Sequence, residues 1–241
     1  MSRALSARLW CGVVYMRVLA IIPAFNEEEA LAATISGLTS TCPDVDYLVI
    51  DDGSSDGTST VCKKNGFHCL RMPVNTGLSS VIRAGMKLAL AGDYDAAIQF
   101  DADGQHLPQY IPEMAQALEE QEADVIIGSR VLAGESPVGL RGVGSRLISF
   151  LLRVTSHIEI TDPTSGMRMF SRRMIEYLAH SFDVHPEPTM LAQVARKGWR
   201  IEEVPVSICE RQGGESYLGF SSAIFYMMRE VLSLLIFQWL R

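Results

Sequence analysis

Cysteine is scarce and unpatterned in this chain. Cys11, Cys42, Cys62, Cys69 and Cys209 make an odd set of five, and no pair has C-x-x-C spacing. That argues against a disulfide framework or a zinc site, and for free thiols in a reducing cytoplasm. Positive charge is also short: 21 Lys and Arg face 28 Asp and Glu, for a net charge of −7. Without a global basic field, nucleic acid is set aside as a partner. No internal repeat or low-complexity tract is visible. Neither end carries a run fit to cross a bilayer. Residues 1–15 are basic and mildly apolar, but the apolar part is short and no small-residue cleavage site precedes folded sequence. They read as a dispensable extension, with Met16 as the functional start. Near the other end the charge-free stretch Val231–Leu240 is too short to span a membrane alone.

What is present supports one folded domain. Hydrophobic residues make up 48% of the 241, enough for a sizeable core. Short apolar runs alternate with helical patterns. Strands are expected at Val18–Pro23, Tyr47–Ile50, Phe67–Met72, Ala96–Phe100 and Asp124–Ser129. Helices are expected at Asn26–Leu38, Thr58–Asn65, Gly77–Ala91 and Pro108–Gln121. Asn26 is read as the N-cap of the first helix, with Glu29 at the capping-box position. This rhythm predicts an α/β fold with a mostly parallel sheet covered by helices. Beyond Arg130 the rhythm changes. A Gly/Pro-rich loop is expected over Gly134–Gly144, then an amphipathic helix over Ser145–Val154. Helices around Ser171–His180 and Glu187–Lys197 and a strand at Ile201–Val206 follow. The domain is taken as 16–216, and 217–241 as a C-terminal amphipathic helix.

Ligands of such sheets sit beyond the carboxyl ends of the strands. Asn26, Asp51-Asp52, Asn75 and Asp101-Ala102-Asp103-Gly104-Gln105-His106 all fall there. Two carboxylates one residue apart after a buried strand are costly unless something cationic meets them. A divalent metal carrying a diphosphate is the natural partner, which makes a nucleotide-sugar the candidate ligand. Mg²⁺ or Mn²⁺ neutralises a departing diphosphate, and hard oxygen ligands suit both ions. Asp103 is read as the direct ligand, with Gln105 beside it. Asp101 would meet the metal through water or hold ribose and sugar. His106 is read as a structural turn residue. Asp51 and Asp52 can accept hydrogen bonds from a base edge or ribose hydroxyls. Arg130, Arg146 and Arg168 offer the guanidinium forks that a phosphate acceptor needs.

Several motifs then mark a resemblance. They are Ile22-Pro23-Ala24-Phe25-Asn26-Glu27, Asp51-Asp52-Gly53-Ser54-Ser55-Asp56-Gly57-Thr58, Asp101–His106, Gly128-Ser129-Arg130 and Asp162–Arg168. In this order and spacing they resemble the family 2 glycosyltransferases, and more narrowly the dolichyl- or polyprenyl-phosphate mannosyl- and glucosyltransferase branch. The similarity runs over about residues 17 to 215. It implies a GT-A fold and an inverting, metal-dependent transfer of a hexose from a nucleotide-sugar. It places Asp51 near the nucleobase, with Pro23, Phe25 and Glu27 lining the same pocket. It places Arg130 and Arg146 on a lipid phosphate, and Asp162 with Ser165-Gly166 in the acceptor-side turn. It matches Arg211 to a loop that closes on the donor diphosphate, although that loop's usual lysine is absent at Glu215-Ser216-Tyr217. The turn Asn75-Thr76-Gly77 is followed by Leu78-Ser79-Ser80, where relatives often carry a basic residue.

The acceptor is expected to be polyprenyl phosphate. A phosphate is already ionised at neutral pH and needs no general base, whereas a sugar hydroxyl does. The Glu-Asp pair that hydroxyl-acceptor members often carry is replaced here by His185-Pro186-Glu187-Pro188. Glu187 or Asp162 would be the base if the acceptor were a glycan hydroxyl. A non-catalytic nucleotide-sugar-binding subunit is the other alternative. The two apolar helices fit a lipid acceptor, lying on a membrane with arginines at the headgroups. The expected location is therefore the cytoplasmic face of the membrane, by peripheral contact or beside a small membrane protein. Packing of these helices on each other, or on a second copy in a homo-oligomer, is the alternative.

Overall fold

The computed structural model describes residues 16–135, 139–181, 185–209 and 228–235. In chain order the elements are β1 (Val18–Ala24), α1 (Leu31–Thr41), β2 (Asp46–Asp51), α2 (Thr58–Asn65), β3 (Cys69–Arg71), α3 (Leu78–Ala91) and β4 (Ala96–Gln99). Then come α4 (Ile111–Glu120), β5 (Val125–Ser129), α5 (Gly139–Ser156), β6 (Arg168–Ser171), α6 (Arg172–His180), α7 (Pro188–Arg196) and β7 (Ile201–Pro205). Residues 228–235 form a further helix, α8.

One seven-stranded sheet runs in the order β3-β2-β1-β4-β6-β5-β7. β1 pairs in parallel with β2 and β4, β2 with β3, and β5 with β7. β6 alone runs the other way, between β4 and β5. Side chains alternate along β1. Leu19 and Ile21 face one apolar core with residues of α3, α5, α6, α7 and α8. Val18, Ala20 and Ile22 face a second core built on α1, α2 and α4. Helices therefore cover both faces, and fully buried residues such as Ile21, Ile22, Ile98 and Phe100 stabilise the sheet by about 1.5–3 kcal/mol each.

The expected strands and helices before Arg130 are all present, with shifted ends. Gly66, at φ 67°, stops α2 where expected. The first helix differs. It begins at Leu31, its cap position is Ala30 with no side-chain bond, and Asn26 sits at φ 57° instead. Asn26 is therefore a corner residue of the loop, not an N-cap, and Glu29 closes no capping box. The helix expected over Pro108–Gln121 opens as a 3-10 turn, Pro108–Tyr110, before α4. After Arg130 two expectations are corrected. The loop expected to Gly144 is helical from Gly139 onward. A strand not expected, β6, follows the Asp162–Met167 turn. Residues 1–15 and Arg211 lie outside the described residues, as does most of the stretch from Phe220 to Arg241.

Candidate active site

The carboxyl ends of β1, β2, β4 and β5 share one rim because those strands point the same way. The loop after β1 is stitched to the loop after β2. Asn26 N–H donates to Ser54 Oγ at 3.0 Å, and Asn26 Oδ1 accepts from Ser55 N–H at 2.9 Å. Glu27 N–H donates to Thr58 Oγ1 at 2.9 Å, and Glu28 N–H to Asp56 Oδ2 at 3.1 Å. Burial pulls the Asp56 carboxyl upward, but the Thr58 hydroxyl and the Thr58 and Glu28 N–H groups outweigh it and hold the group below its ordinary value. Pro23, Phe25 and Glu27 are half-buried along this seam.

Asp51 and Asp52 have different surroundings. Asp51 is fully buried, and its Oδ1 accepts from Ser54 N–H at 2.9 Å. Its Oδ2 takes no hydrogen bond from the described residues and has Arg71 Nε at 3.6 Å. A buried carboxylate oxygen without a donor is costly, and the Arg71 guanidinium is the cation beside it. Asp52 is engaged on both oxygens. It accepts from Thr76 N–H, Thr76 Oγ1–H and Gly77 N–H, each at 2.8 Å. It anchors the Asn75-Thr76-Gly77 turn. Gly53 makes that approach possible: its φ is 71°, and a Cβ there would lie 2.6 Å from the Val74 carbonyl carbon. No side chain but hydrogen fits.

The Asp101–His106 stretch leaves β4 at the centre of the rim. Asp101 is partly exposed and Asp103 is buried. Asp103 Oδ1 accepts from Gln105 N–H at 3.0 Å. Gln105 directs its Nε2 toward the Cys209 carbonyl at 3.5 Å, which leaves its Oε1 as an acceptor. His106 Nδ1 accepts from Asp101 N–H at 3.0 Å, so a neutral ring carries its proton on Nε2, which lies 3.5 Å from Asp101 Oδ2. His106 is thus the structural turn residue expected. It also bridges to Ile208, and Cys209 N–H donates to Gln105 O at 3.0 Å, bringing the chain after β7 across the loop. Asp101, Asp103 and Gln105 Oε1 are hard oxygen donors of the kind Mg²⁺ and Mn²⁺ take. Two carboxylates and an amide leave coordination positions for a diphosphate, so the donor set fits the implied metal.

The Asp162–Met167 turn reaches the same place. A Cβ on Gly166 would lie 2.8 Å from Asp101 Oδ2 and 3.4 Å from His106 Cε1. Arg130, at the end of β5, is held by Asp162 across this turn. Arg130 Nε meets Asp162 Oδ2 at 2.6 Å and Nη2 meets Oδ1 at 2.8 Å. Nη2 also donates to Thr164 Oγ1 at 3.2 Å, and Arg130 N–H to Asp162 Oδ2 at 3.2 Å. This side-on fork leaves Nη1 as the corner turned away from Asp162. Asp162 is fully buried and holds Arg130.

Arg168 is corrected. It is 3% exposed, and its guanidinium donates to the carbonyls of Ser165, Pro186 and Pro163 at 2.9, 3.0 and 2.7 Å. It clips the turn to the chain before α7 and presents no fork to an acceptor. Ser165 is buried, and its Oγ accepts from Met167 N–H at 3.3 Å within its own turn. Glu187, at the cap of α7, is paired with Arg229 of α8. Glu230 is buried beside them. Desolvation, with the Glu187 charge and hydrogen bond next, pushes its carboxyl up to about 7. Arg146 is exposed on α5.

The pattern described as Glycosyl transferase family 2 matches residues 19–178. The chain belongs to glycosyltransferase family 2. This glycosyltransferase is 35% identical to an undecaprenyl-phosphate mannosyltransferase of Micrococcus luteus, over 83% of its own length and 87% of that protein. It is 28% identical to a polyprenol monophosphomannose synthase of Mycolicibacterium smegmatis, covering 86% of this chain and 82% of that one. A solved mannosyltransferase from Pyrobaculum calidifontis, in complex with GDP-Man and Mn²⁺, superposes at TM-score 0.67 with 15% identity, over 92% of this chain and 64% of that one. Glucosyl-3-phosphoglycerate synthase from Mycobacterium tuberculosis, with Mn²⁺, UDP and phosphoglyceric acid, superposes at TM-score 0.68 with 18% identity, over 92% and 78%. The fold of the glycosyltransferase is therefore of the GT-A type.

Sequence reasoning missed Glu203 on β7. Its carboxylate accepts from Thr161 N–H, Asp162 N–H and Thr161 Oγ1–H at 2.7, 2.9 and 3.0 Å. Glu202-Glu203 reads in sequence as a solvated strand edge, and no local pattern marks the second as a clamp.

Proposed function

We propose that this glycosyltransferase moves a hexose from a nucleotide-sugar to polyprenyl phosphate, in one inverting displacement. The observation that carries this reading is the state of the acceptor-side carboxylates. Asp162 is buried in a two-point fork with Arg130, and Glu187 is paired with Arg229. The two side chains considered as bases are thus both occupied, which suits an acceptor that arrives ionised. Arg130 Nη1 and Arg146 are the groups offered to its phosphate. The relatives from Micrococcus luteus and Mycolicibacterium smegmatis, an undecaprenyl-phosphate mannosyltransferase and a polyprenol monophosphomannose synthase, support the same reading.

On the donor side, Pro23, Phe25, Glu27 and Asp51 would line the nucleobase pocket. Asp101, Asp103 and Gln105 would hold Mg²⁺ or Mn²⁺. Bound there, the ion supplies Lewis-acid stabilisation of the departing diphosphate. Gly166 lets the acceptor turn close against Asp101, which brings both substrates to one rim.

A membrane surface fits the remaining exposed face. Val143, Leu147, Phe150 and Val154 recur at helical spacing on α5 and are 44–61% exposed. Arg146 and Arg153 flank this stripe. On α8, Met228, Leu232 and Leu235 repeat the pattern. No helix among the described residues is long and apolar enough to cross a membrane. Peripheral contact, apolar stripe down and arginines at the headgroups, is the arrangement this supports.

The deciding experiment offers radiolabelled GDP-mannose, UDP-glucose and UDP-N-acetylglucosamine with undecaprenyl phosphate or with soluble glycans. Lipid-extractable label that depends on Mn²⁺ or Mg²⁺ and disappears in Asp103→Ala is the expected result. Label appearing only in glycan would overturn the acceptor.

A further inference from the structure

Glu203 carries no role in the reading above, yet three donors converge on its carboxylate. We propose that Glu203 is a positioning residue for acceptor recognition, setting the Arg130 fork through the Thr161-Asp162 turn. This rests on the reading of Arg130 as the acceptor-side arginine.

The hydrogen-bond directions form a chain. Thr161 has one hydroxyl proton, and Glu203 Oε1 takes it at 3.0 Å. Thr161 Oγ1 must then accept from Ser129 Oγ, 2.8 Å away, because a hydroxyl donates only once. Ser129 Oγ in turn accepts from Leu132 N–H at 3.3 Å. Ser129 is the residue before Arg130, and Asp162 is the residue after Thr161. Glu203 therefore fixes both sides of the fork. It holds Asp162 by its backbone N–H and holds the end of β5 through the two hydroxyls. Parallel pairing keeps Glu203 opposite Ile127, so its own position is set by the sheet. The chain continues outward. Arg130 Nη2 donates to Thr164 Oγ1, which lies 3.2 Å from Ser145 Oγ on α5, next to Arg146.

A carboxylate suits this place where an amide does not. Every group facing it is a donor, and charge-assisted bonds to backbone N–H are strong. In Glu203→Gln the side chain keeps its size but turns an NH₂ toward N–H groups. The turn must shift, and a misplacement near 1 Å at a reacting site costs about 100-fold.

The test is steady-state kinetics on the full chain, with whichever acceptor the wild type turns over. Glu203→Gln is expected to raise the acceptor KM by about 10-fold or more, with donor KM and the Mn²⁺ midpoint within about twofold. Thr161→Val, which removes only the hydroxyl link, should move the acceptor KM the same way by less. Arg130→Lys should raise it as well, and adding Glu203→Gln to Arg130→Lys should change little, since the two act as one unit. An unchanged acceptor KM in Glu203→Gln beside a raised one in Arg130→Lys overturns the inference. So do multiplying effects in the double variant, or an equal rise in donor KM. An unchanged acceptor KM in Arg130→Lys would instead refute the acceptor-side reading itself. Circular dichroism melting accompanies each variant. If Glu203→Gln does not fold, Thr161→Val decides alone, and an unchanged acceptor KM there overturns the proposal.

Discussion

Gly166→Ala would place one methyl group between the two halves of the active site. The added Cβ would lie 2.8 Å from Asp101 Oδ2, while its next neighbour, His106 Cε1, is at 3.4 Å. The carboxylate must retreat by roughly half an ångström to reach ordinary contact. Asp101 can do this by turning off its rotamer, at a cost of about 0.5–1.5 kcal/mol. For a chain of this size that lowers the melting temperature by only about 2–4 °C per kcal/mol. The functional effect should be larger. A 1 Å error costs about 100-fold, so half of that displacement should cost about 10-fold. The assay pairs a melting curve with a Mn²⁺ titration, followed by the free-ion electron paramagnetic resonance signal and by donor hydrolysis. A weaker Mn²⁺ midpoint and slower hydrolysis in a folded variant are expected. A wild-type midpoint and rate would show that Asp101 does not take part in the metal site, and would refute the reasoning.

Other outcomes follow from the same structure. Gly37→Ala has nothing within 4 Å of the new Cβ and lies inside α1, so it should stabilise the chain by about 0.5–1 kcal/mol with unchanged kinetics, read by melting and turnover. Glu230 holds its proton more tightly folded, near 7, than its ordinary 4.5. Its contribution to stability is full below about 4.5 and is lost as pH rises through about 7. Denaturant midpoints should fall over that window in the wild type and stay flatter in Glu230→Gln. Phe150→Glu removes the aromatic of the α5 stripe, 60% exposed. Its co-sedimentation with phosphatidylglycerol vesicles should drop about 10-fold or more, with donor hydrolysis retained.

The half before Arg130 was legible because its signals are local. Val18–Pro23, Tyr47–Ile50 and Ala96–Phe100 are apolar runs ending in polar turns, and the structure keeps each strand and its rim. The half after Arg130 was less so. Gly139, Gly142 and Gly144 lower helix propensity, yet α5 begins at Gly139 because tertiary packing of Ile148, Leu151 and Leu152 outweighs it. β6 is four residues long and starts with an arginine, which no alternation pattern marks as a central strand. Its Arg168 is tolerated in the interior because three carbonyls receive the guanidinium, a fact held in the fold alone. Asn26 was misread for a related reason. An Asn before an apolar run serves a helix cap or a left-handed corner equally well, and its partner here, Ser55, comes from another loop.

The antiparallel course of β6 has one more consequence. The chain leaves the sheet at Arg130 and re-enters it just past Asp162, and these two residues clasp each other at the point of exit and return. The intervening excursion, α5 included, is closed at its neck by its own ends. Lengthening a closed excursion costs little, about 0.6 kcal/mol per doubling. Its outward face is therefore free to diversify while Ile148, Leu151 and Leu152 keep it seated. Under the proposed acceptor reading, rewriting that excursion alone would change what is glycosylated, with the half before Arg130 left as it stands.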